Sequence, residues 1–385
     1  MDDAECDFHL HSGTLCYRGV NYTMEQVLKL CKGLRVLHMF SGPRRDDDFH
    51  FACSQLGASA TLVDIELPGP NMDMLDEALF GVYLDGIENC KFDGALLGMP
   101  CSTFSAGRTG EDGGPRPLRG ISKVDIYGLK KDPLTNKDLS IADKDKVRVG
   151  TILALRGSSI ASACLAANIP WIAETPEQKL DKPSVLLLPE WIDINSDKQV
   201  IRRTIVQCEL GADARKATEL WGTACLDGLP QQCGHPSVSW TVSWSGHSYW
   251  SPHAWLRGTQ RAILTTDFDI DMLEPIMPKG IYVSRAAAMY SGLLNRELAF
   301  RILMQAGLDR VGTSSTSQLV KAGYWSNSLV RVGLFNSPGV SSGSSAGPRN
   351  THVGRSFDVK VTRANHARAL PATVTAVPHI GDLRN

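Results

Sequence analysis

The sequence predicts an α/β fold, a mostly parallel sheet with helices on both faces. Three observations carry that expectation. Short apolar runs of strand length recur between residues 34 and 210, segments with apolar residues at helical spacing separate them, and several runs stop at Gly, Pro or Ser. Strands covered on both faces read as continuous apolar runs, and parallel neighbours need a crossover long enough for a helix.

Residues 1–33 read as a polar lead-in with a short helix around 24–32. The run at 34–40 stops at Ser41-Gly42-Pro43, as a buried strand does at a turn. A helix is expected over 46–56, ended by Gly57, then a second strand over 60–65. Met72, Leu75, Leu79 and Val82 fall at helical spacing, and Gly94-Ala-Leu-Leu-Gly98 is the third strand. Residues 99–145 are rich in Gly, Pro and charge, a long loop of the kind that is either functional or disordered. Val149, Ile152, Leu153, Arg156, Ile160 and Cys164 mark one helix face; strands follow at 170–174 and 200–210. The core is therefore expected to span 34–222. A small irregular region rich in Gly, Ser, Trp and His occupies 223–275. The segment 276–310 holds a returning helix at about 284–306, with Ala287, Leu294, Leu298 and Ile302 on one side. Ser, Gly and Pro dominate much of 311–385, which reads as a disordered tail.

With 385 residues and 43% hydrophobic content, the chain can bury one large core or two modest ones. A net charge of −1 argues against a dedicated basic nucleic-acid binder but leaves room for an enzyme whose cations line one cleft. Ten cysteines are spread singly with no C-x-x-C pair, which reads as reduced thiols. The first eleven residues hold no apolar run, and no stretch reads as long and apolar enough for a bilayer. The expectation is an intracellular monomer with no membrane partner, nuclear in a eukaryotic host.

Four segments bear chemistry. Phe40-Ser41-Gly42 ends the first strand, where ligands of open α/β sheets sit and a glycine lets backbone approach them. Asp64, ending the second strand, is placed to accept from ribose hydroxyls, and Asp73 to meet an adenine amino group. Gly98-Met-Pro100-Cys101-Ser-Thr-Phe104-Ser105 opens the long loop, with Pro100 fixing the direction of a thiol at a strand end. Glu174, in Ala173-Glu174-Thr-Pro176, would face the same cleft, where partial burial favours a carboxyl able to donate a proton. Each has a structural alternative: an ordinary turn, a capping carboxylate, a buried Cys, a surface Glu.

Taken in this order, the segments resemble the DNA cytosine-C5 methyltransferase family. Val36-Leu-His-Met-Phe40-Ser-Gly42 is similar to its cofactor motif, Pro100-Cys101-Ser-Thr-Phe104-Ser105 to its nucleophile loop, and Glu174-Thr-Pro176 to its Glu-Asn motif. Gly114-Pro-Arg-Pro-Leu-Arg119, Lys146-Val-Arg-Val-Gly150 and Gln207-Cys-Glu-Leu-Gly211 to Trp221 are similar to a divergent branch found in mobile elements. The chain departs from the family pattern at His38, where the motif has aspartate, at Pro43-Arg44-Arg45 and at Thr175. The family's Gln-x-Arg-x-Arg positions fall on Ala214, Lys216 and Thr218.

The resemblance implies a Rossmann-like S-adenosylmethionine-dependent methyltransferase. Cys101, Glu174 and Lys216 would be catalytic, and Phe40, Ser41, Gly42, Asp64, Asp73 and Pro100 would hold S-adenosylmethionine. Ser105, Arg108, Arg119 and Lys123, with Arg116, would contact nucleic acid, DNA first and tRNA as the alternative. Residues 223–275 would select the target. A second reading is a non-catalytic methyltransferase-like module of a mobile-element protein. Cys225, Cys233 and His235, with His247 or His253, have zinc-ligand types, but Cys-x7-Cys-x-His is no standard zinc spacing and no metal is assigned. Trp240, Trp244, Trp250 and Trp255 suggest a packed or base-contacting surface there.

Overall fold

A computed structural model describes residues 14–69, 72–108, 115–212, 216–241, 248–253, 263–264 and 290–312. Ala214, His247, Ala287, nearly all of the 311–385 tail and the four tryptophan side chains between 240 and 255 lie outside what it describes.

The sheet has six strands: β3 (Arg35–Met39), β4 (Ser59–Val63), β5 (Gly94–Gly98), β6 (Trp171–Pro176), β7 (Ile201–Val206) and β8 (Ala217–Gly222), in the order β4-β3-β5-β6-β8-β7. The first four are parallel, and β8 runs antiparallel to both its neighbours. This is an α/β, mostly parallel mixed sheet, compatible with a Rossmann-like fold. From β3 the chain passes to β4 on one side and next to β5 on the other. Such a reversal is where open α/β sheets hold a ligand crevice, here beyond the carboxyl ends of β3 and β5.

Alternate residues of each strand feed two cores, as the two-residue period of a strand requires. Val36, Leu96, Ile172 and Leu220 face α1 (Met24–Cys31), α2 (Phe49–Gln55) and α6 (Gly292–Gly312). Leu37, Met39, Leu97, Ala173 and Trp221 face α3 (Glu77–Glu88), α4 (Ile141–Ala167) and α5 (Pro189–Asn195). α4 starts at Ser140, whose hydroxyl accepts from the Asp143 amide, and stops at Asn168 in the left-handed conformation. By length and composition it could cross a membrane, contrary to the expectation from sequence. Its Ala154, Ile160, Ala161 and Cys164 are instead buried in the second core, as in an internal helix.

The sequence reading needs correction in four more places. The polar lead-in contains a hairpin, β1 (Thr14–Tyr17) with β2 (Val20–Thr23), and Leu15, Tyr17 and Tyr22 are core residues. The Tyr17 hydroxyl donates to Gln305 Oε1 (3.0 Å) on α6, which ties the hairpin to the first core. The strand expected over 200–210 ends at Val206 in a short 3-10 turn, and β8 follows where no strand was expected. The region after β8 carries a three-stranded antiparallel sheet, β9 (Val238–Thr241) between β10 (Ser248–Ser251) and β11 (Ile263–Leu264). The last helix continues through Gly307 to Gly312, because the missing side chain lets Gly307 close on the Leu30 carbonyl.

Candidate active site

The turn after β3 is stitched to β4 and the residue that follows it by its backbone amides. Phe40 N donates to Val63 O (2.7 Å), and Gly42 N donates to Asp64 Oδ2 (2.9 Å). Phe40 and Gly42 both have left-handed φ, 60° and 70°, unusual for the non-glycine residue. A side chain at Gly42 would meet nothing within 4 Å, so the space before this turn is open. Asp64 also accepts from the Glu66 amide through Oδ1 (2.9 Å); each of its oxygens keeps further acceptor capacity. Asp73 is exposed and accepts from the Leu75 amide (2.8 Å), a turn ahead of α3.

The end of β5 presses against that turn. A methyl at Gly98 would lie 2.7 Å from the Phe40 carbonyl oxygen and 3.3 Å from the Tyr290 hydroxyl. Gly98 pairs with Glu174 on β6, and Met99 N donates to Glu174 O (3.2 Å). Cys101 therefore leaves β5 three residues past a fixed register point, and its carbonyl accepts from Phe104 N (2.9 Å). Burial pushes the Cys101 thiol up, the Glu174 carboxylate adds to this, and the Lys216 ammonium opposes it. The thiol thus lies within electrostatic reach of both.

Glu174 is almost fully buried, and both its oxygens are partnered. Lys216 Nζ lies 3.3 Å from Oε1, and the Tyr290 hydroxyl donates to Oε2 (2.8 Å). Tyr290 is held well above its ordinary value by burial, then by Glu174, with Cys101 contributing, so it remains a donor. Its carbonyl accepts from Arg45 Nη1 (2.9 Å), which anchors the start of α6 to the β3 turn. The structure thus joins the expected Cys101, Glu174 and Lys216 and adds Tyr290, which no motif in the sequence marked. We expect Gly98→Ala to cost about 1–3 kcal/mol of stability, because the methyl forces β5 from the turn. A Gly98→Ala chain with unchanged melting temperature would contradict this close approach.

His38, where the family pattern has aspartate, is a core residue. It packs edge-on against Phe49 at 4.9 Å, and neither ring nitrogen has a hydrogen-bond partner among the described residues. Burial, opposed by Asp48, lowers it to about 3, so it is neutral. Arg44 pairs with Asp48 (2.6 Å), and Arg45 is used on Tyr290.

The long loop at 99–145 is built around Arg119, and here the phosphate-contact expectation is corrected. Arg119 is only 2% exposed. It donates to Thr103 Oγ1 (3.0 Å), Ile126 O (2.7 Å), Thr151 Oγ1 (3.0 Å) and Val147 O (2.8 Å), and stacks on the Phe104 ring at 3.8 Å. Four of its five guanidinium N–H groups are consumed and the side chain is buried, so it is not presented to a phosphate. Gly150 on α4 permits this: a methyl there would meet Thr103 Oγ1 at 2.6 Å. Of the other expected contacts, the Ser105 hydroxyl accepts from Gly107 N (3.2 Å), and Arg108 donates to the Arg116 and Ser102 carbonyls. Arg116 pairs with Asp132 (2.9 Å), whereas Lys123 is exposed. Comparison with family models, with curated proteins and with solved structures finds no match to this chain.

Proposed function

We propose that this chain transfers a methyl group from S-adenosylmethionine to C5 of cytosine in nucleic acid, DNA first and tRNA as the alternative, on a methyltransferase variety of the Rossmann-like fold. One observation carries the reading: Cys101, Glu174, Lys216 and Tyr290 gather at the carboxyl ends of β5 and β6, beside the Gly42 turn at the switch point. That grouping matches what the Pro100-Cys101 loop and Glu174 lead one to expect.

The donor's place is supported by the open space before Gly42 and by Arg44 and Arg45 being engaged with Asp48 and Tyr290. Phe40, Ser41 and Gly42 would line it, with Pro100 beside them, Asp64 would accept from ribose hydroxyls and Asp73 would meet the adenine amino group. When bound, S-adenosylmethionine supplies an electrophilic methyl carbon on a sulfonium.

The chain's own groups do the rest. The base leaves its stack to reach the crevice. Cys101, once deprotonated, adds its sulfur to C6, and the ring electrons this displaces make C5 nucleophilic. Glu174 meets N3 and carries the proton that neutralises charge there, its direction fixed by Lys216 and Tyr290. Water in the crevice then takes the C5 proton, the C–H electrons re-form the C5–C6 double bond as the C6–sulfur bond breaks, Cys101 leaves as thiolate and N3 returns its proton to Glu174. A hydrolase reading lacks support, since Cys101 is flanked by a carboxyl and an amine rather than an imidazole.

Incubation with labelled S-adenosylmethionine and either DNA or tRNA tests the reading. Label should reach one nucleic acid, and Glu174→Gln should reduce turnover about 10²–10³-fold with cofactor affinity nearly unchanged. Absence of both label transfer and cofactor binding would favour the non-catalytic module.

A further inference from the structure

Remote from the Cys101 crevice in role, four side chains converge that the reaction does not use. Cys208 sits in the turn between β7 and β8, Cys233 and His235 in the segment after β8, and His253 just past β10. Their ligand atoms all lie within 4.8 Å of one another. Cys233 Sγ is 3.4 Å from His235 Nδ1 and 3.3 Å from His253 Nε2, and the imidazole rings meet edge-to-face at 4.9 Å. Zinc–sulfur bonds of about 2.3 Å and zinc–nitrogen bonds of about 2.0–2.1 Å in a tetrahedron separate neighbouring ligand atoms by roughly 3.4–3.8 Å. The two sulfur–nitrogen spacings, 3.3 and 3.4 Å, lie at or just below the lower end of that range, and the full set, within 4.8 Å, needs to contract by only about 1 Å to enclose the ion.

We propose that Cys208, Cys233, His235 and His253 form a structural zinc site that fastens the β9–β11 sheet to the core. The ligand set is two thiols and two imidazoles, the combination that favours zinc over harder cations, and four protein ligands leave no open position for catalysis. Cys225, which residue type had grouped with Cys233 and His235, is not part of it. Cys225 is buried, with its sulfur 3.5 Å from Asp227 Oδ2, and the β7–β8 turn delivers Cys208 instead. Glu209 Oε1 lies 3.2 Å from His235 Nδ1 and accepts from Gly234 N (2.6 Å), which holds a negative charge at the cluster's edge. When Nδ1 binds the metal, this carboxylate stays anchored on the amide and adds to the cation's attraction.

The site joins segments that local structure leaves independent. Three short strands stand alone only with a hydrophobic face to pack, and small units otherwise need a staple such as a structural metal. The same turn bears on the crevice, since Gln207 N donates to Lys216 O (3.1 Å) next to the lysine that holds Glu174.

The test uses the full chain, purified without chelator, and is independent of any methyl-transfer activity. Elemental analysis should find about one zinc per chain, and cobalt(II) added to the metal-free protein should give the intense visible bands of a tetrahedral thiolate site. Chelation should lower the melting temperature by at least about 5 °C, reversed by added zinc. Cys233→Ser and His253→Ala should each lose most of the zinc, while Cys225→Ser retains it. The wild-type cobalt spectrum decides the matter even if a variant fails to fold. Zinc below about 0.1 per chain with no tetrahedral cobalt spectrum overturns the proposal, as does a Cys208–Cys233 disulfide in the reduced-buffer preparation or retention of zinc by Cys233→Ser.

Discussion

Cys101→Ser is expected to abolish methyl transfer, by at least ~10³-fold, with the melting temperature changed by little. The reason is chemical rather than structural. A serine hydroxyl is far less acidic and less polarisable than a thiol, so it cannot form the adduct at C6, yet it occupies nearly the same space. An oligonucleotide carrying 5-fluorocytosine makes the test direct. Fluorine at C5 cannot depart as a proton does, so the wild-type chain should remain covalently attached and migrate as a heavier band. Cys101→Ser should leave the oligonucleotide free. Attachment that survives this substitution would place the nucleophile elsewhere and remove the basis of the proposed reaction.

The surroundings of that sulfur predict a pH profile. Burial and Glu174 raise the thiol, so the proton is held more tightly than in free cysteine and the reactive thiolate becomes commoner as pH rises. Turnover should climb from neutral pH through and beyond the ordinary thiol range. Lys216 acts in the opposite sense, so Lys216→Met should move the climb to higher pH.

How much of this was legible in the sequence follows from which interactions are local. β3, β5 and β6 are continuous apolar runs, because helices cover both faces, and they could be read directly. The Pro100-Cys101 loop and Glu174 were legible for the same reason: each sits where such a run ends. The β1–β2 hairpin was not, because its turn is Arg18-Gly19 rather than a glycine paired with Asn or Asp, although both residues adopt the left-handed φ that such turns need. β8 carries Glu219, which is buried and paired with Arg202 on β7, so its composition does not look like a central strand. Tyr290 and Cys208 reach their partners across long sequence separations, and no spacing rule marks such meetings. Arg119 was misread because a basic residue in a Gly- and Pro-rich loop is ordinarily solvated.

Arg119→Ala is expected to cost about 3–5 kcal/mol of stability and, with it, the order of the loop that presents Cys101. The substitution leaves the Ile126 carbonyl without its donor, removes the tie from Thr103 to α4, and opens a cavity against Phe104. Burying a cation is itself unfavourable, which offsets part of the loss, but the four hydrogen bonds are what make the loop a packed element rather than a solvated one. Arg119→Lys separates this from a role in binding phosphate. Lysine keeps the charge and would serve as a phosphate contact, yet its single ammonium cannot span partners lying on Thr103, Ile126, Val147 and Thr151 at once. Both variants should therefore show a lowered melting temperature in the absence of any ligand, and both should lose trapping by 5-fluorocytosine in proportion. If Arg119→Lys instead melts like the wild type and loses only salt-sensitive nucleic-acid binding, the guanidinium faces the ligand after all and the loop is held by something else.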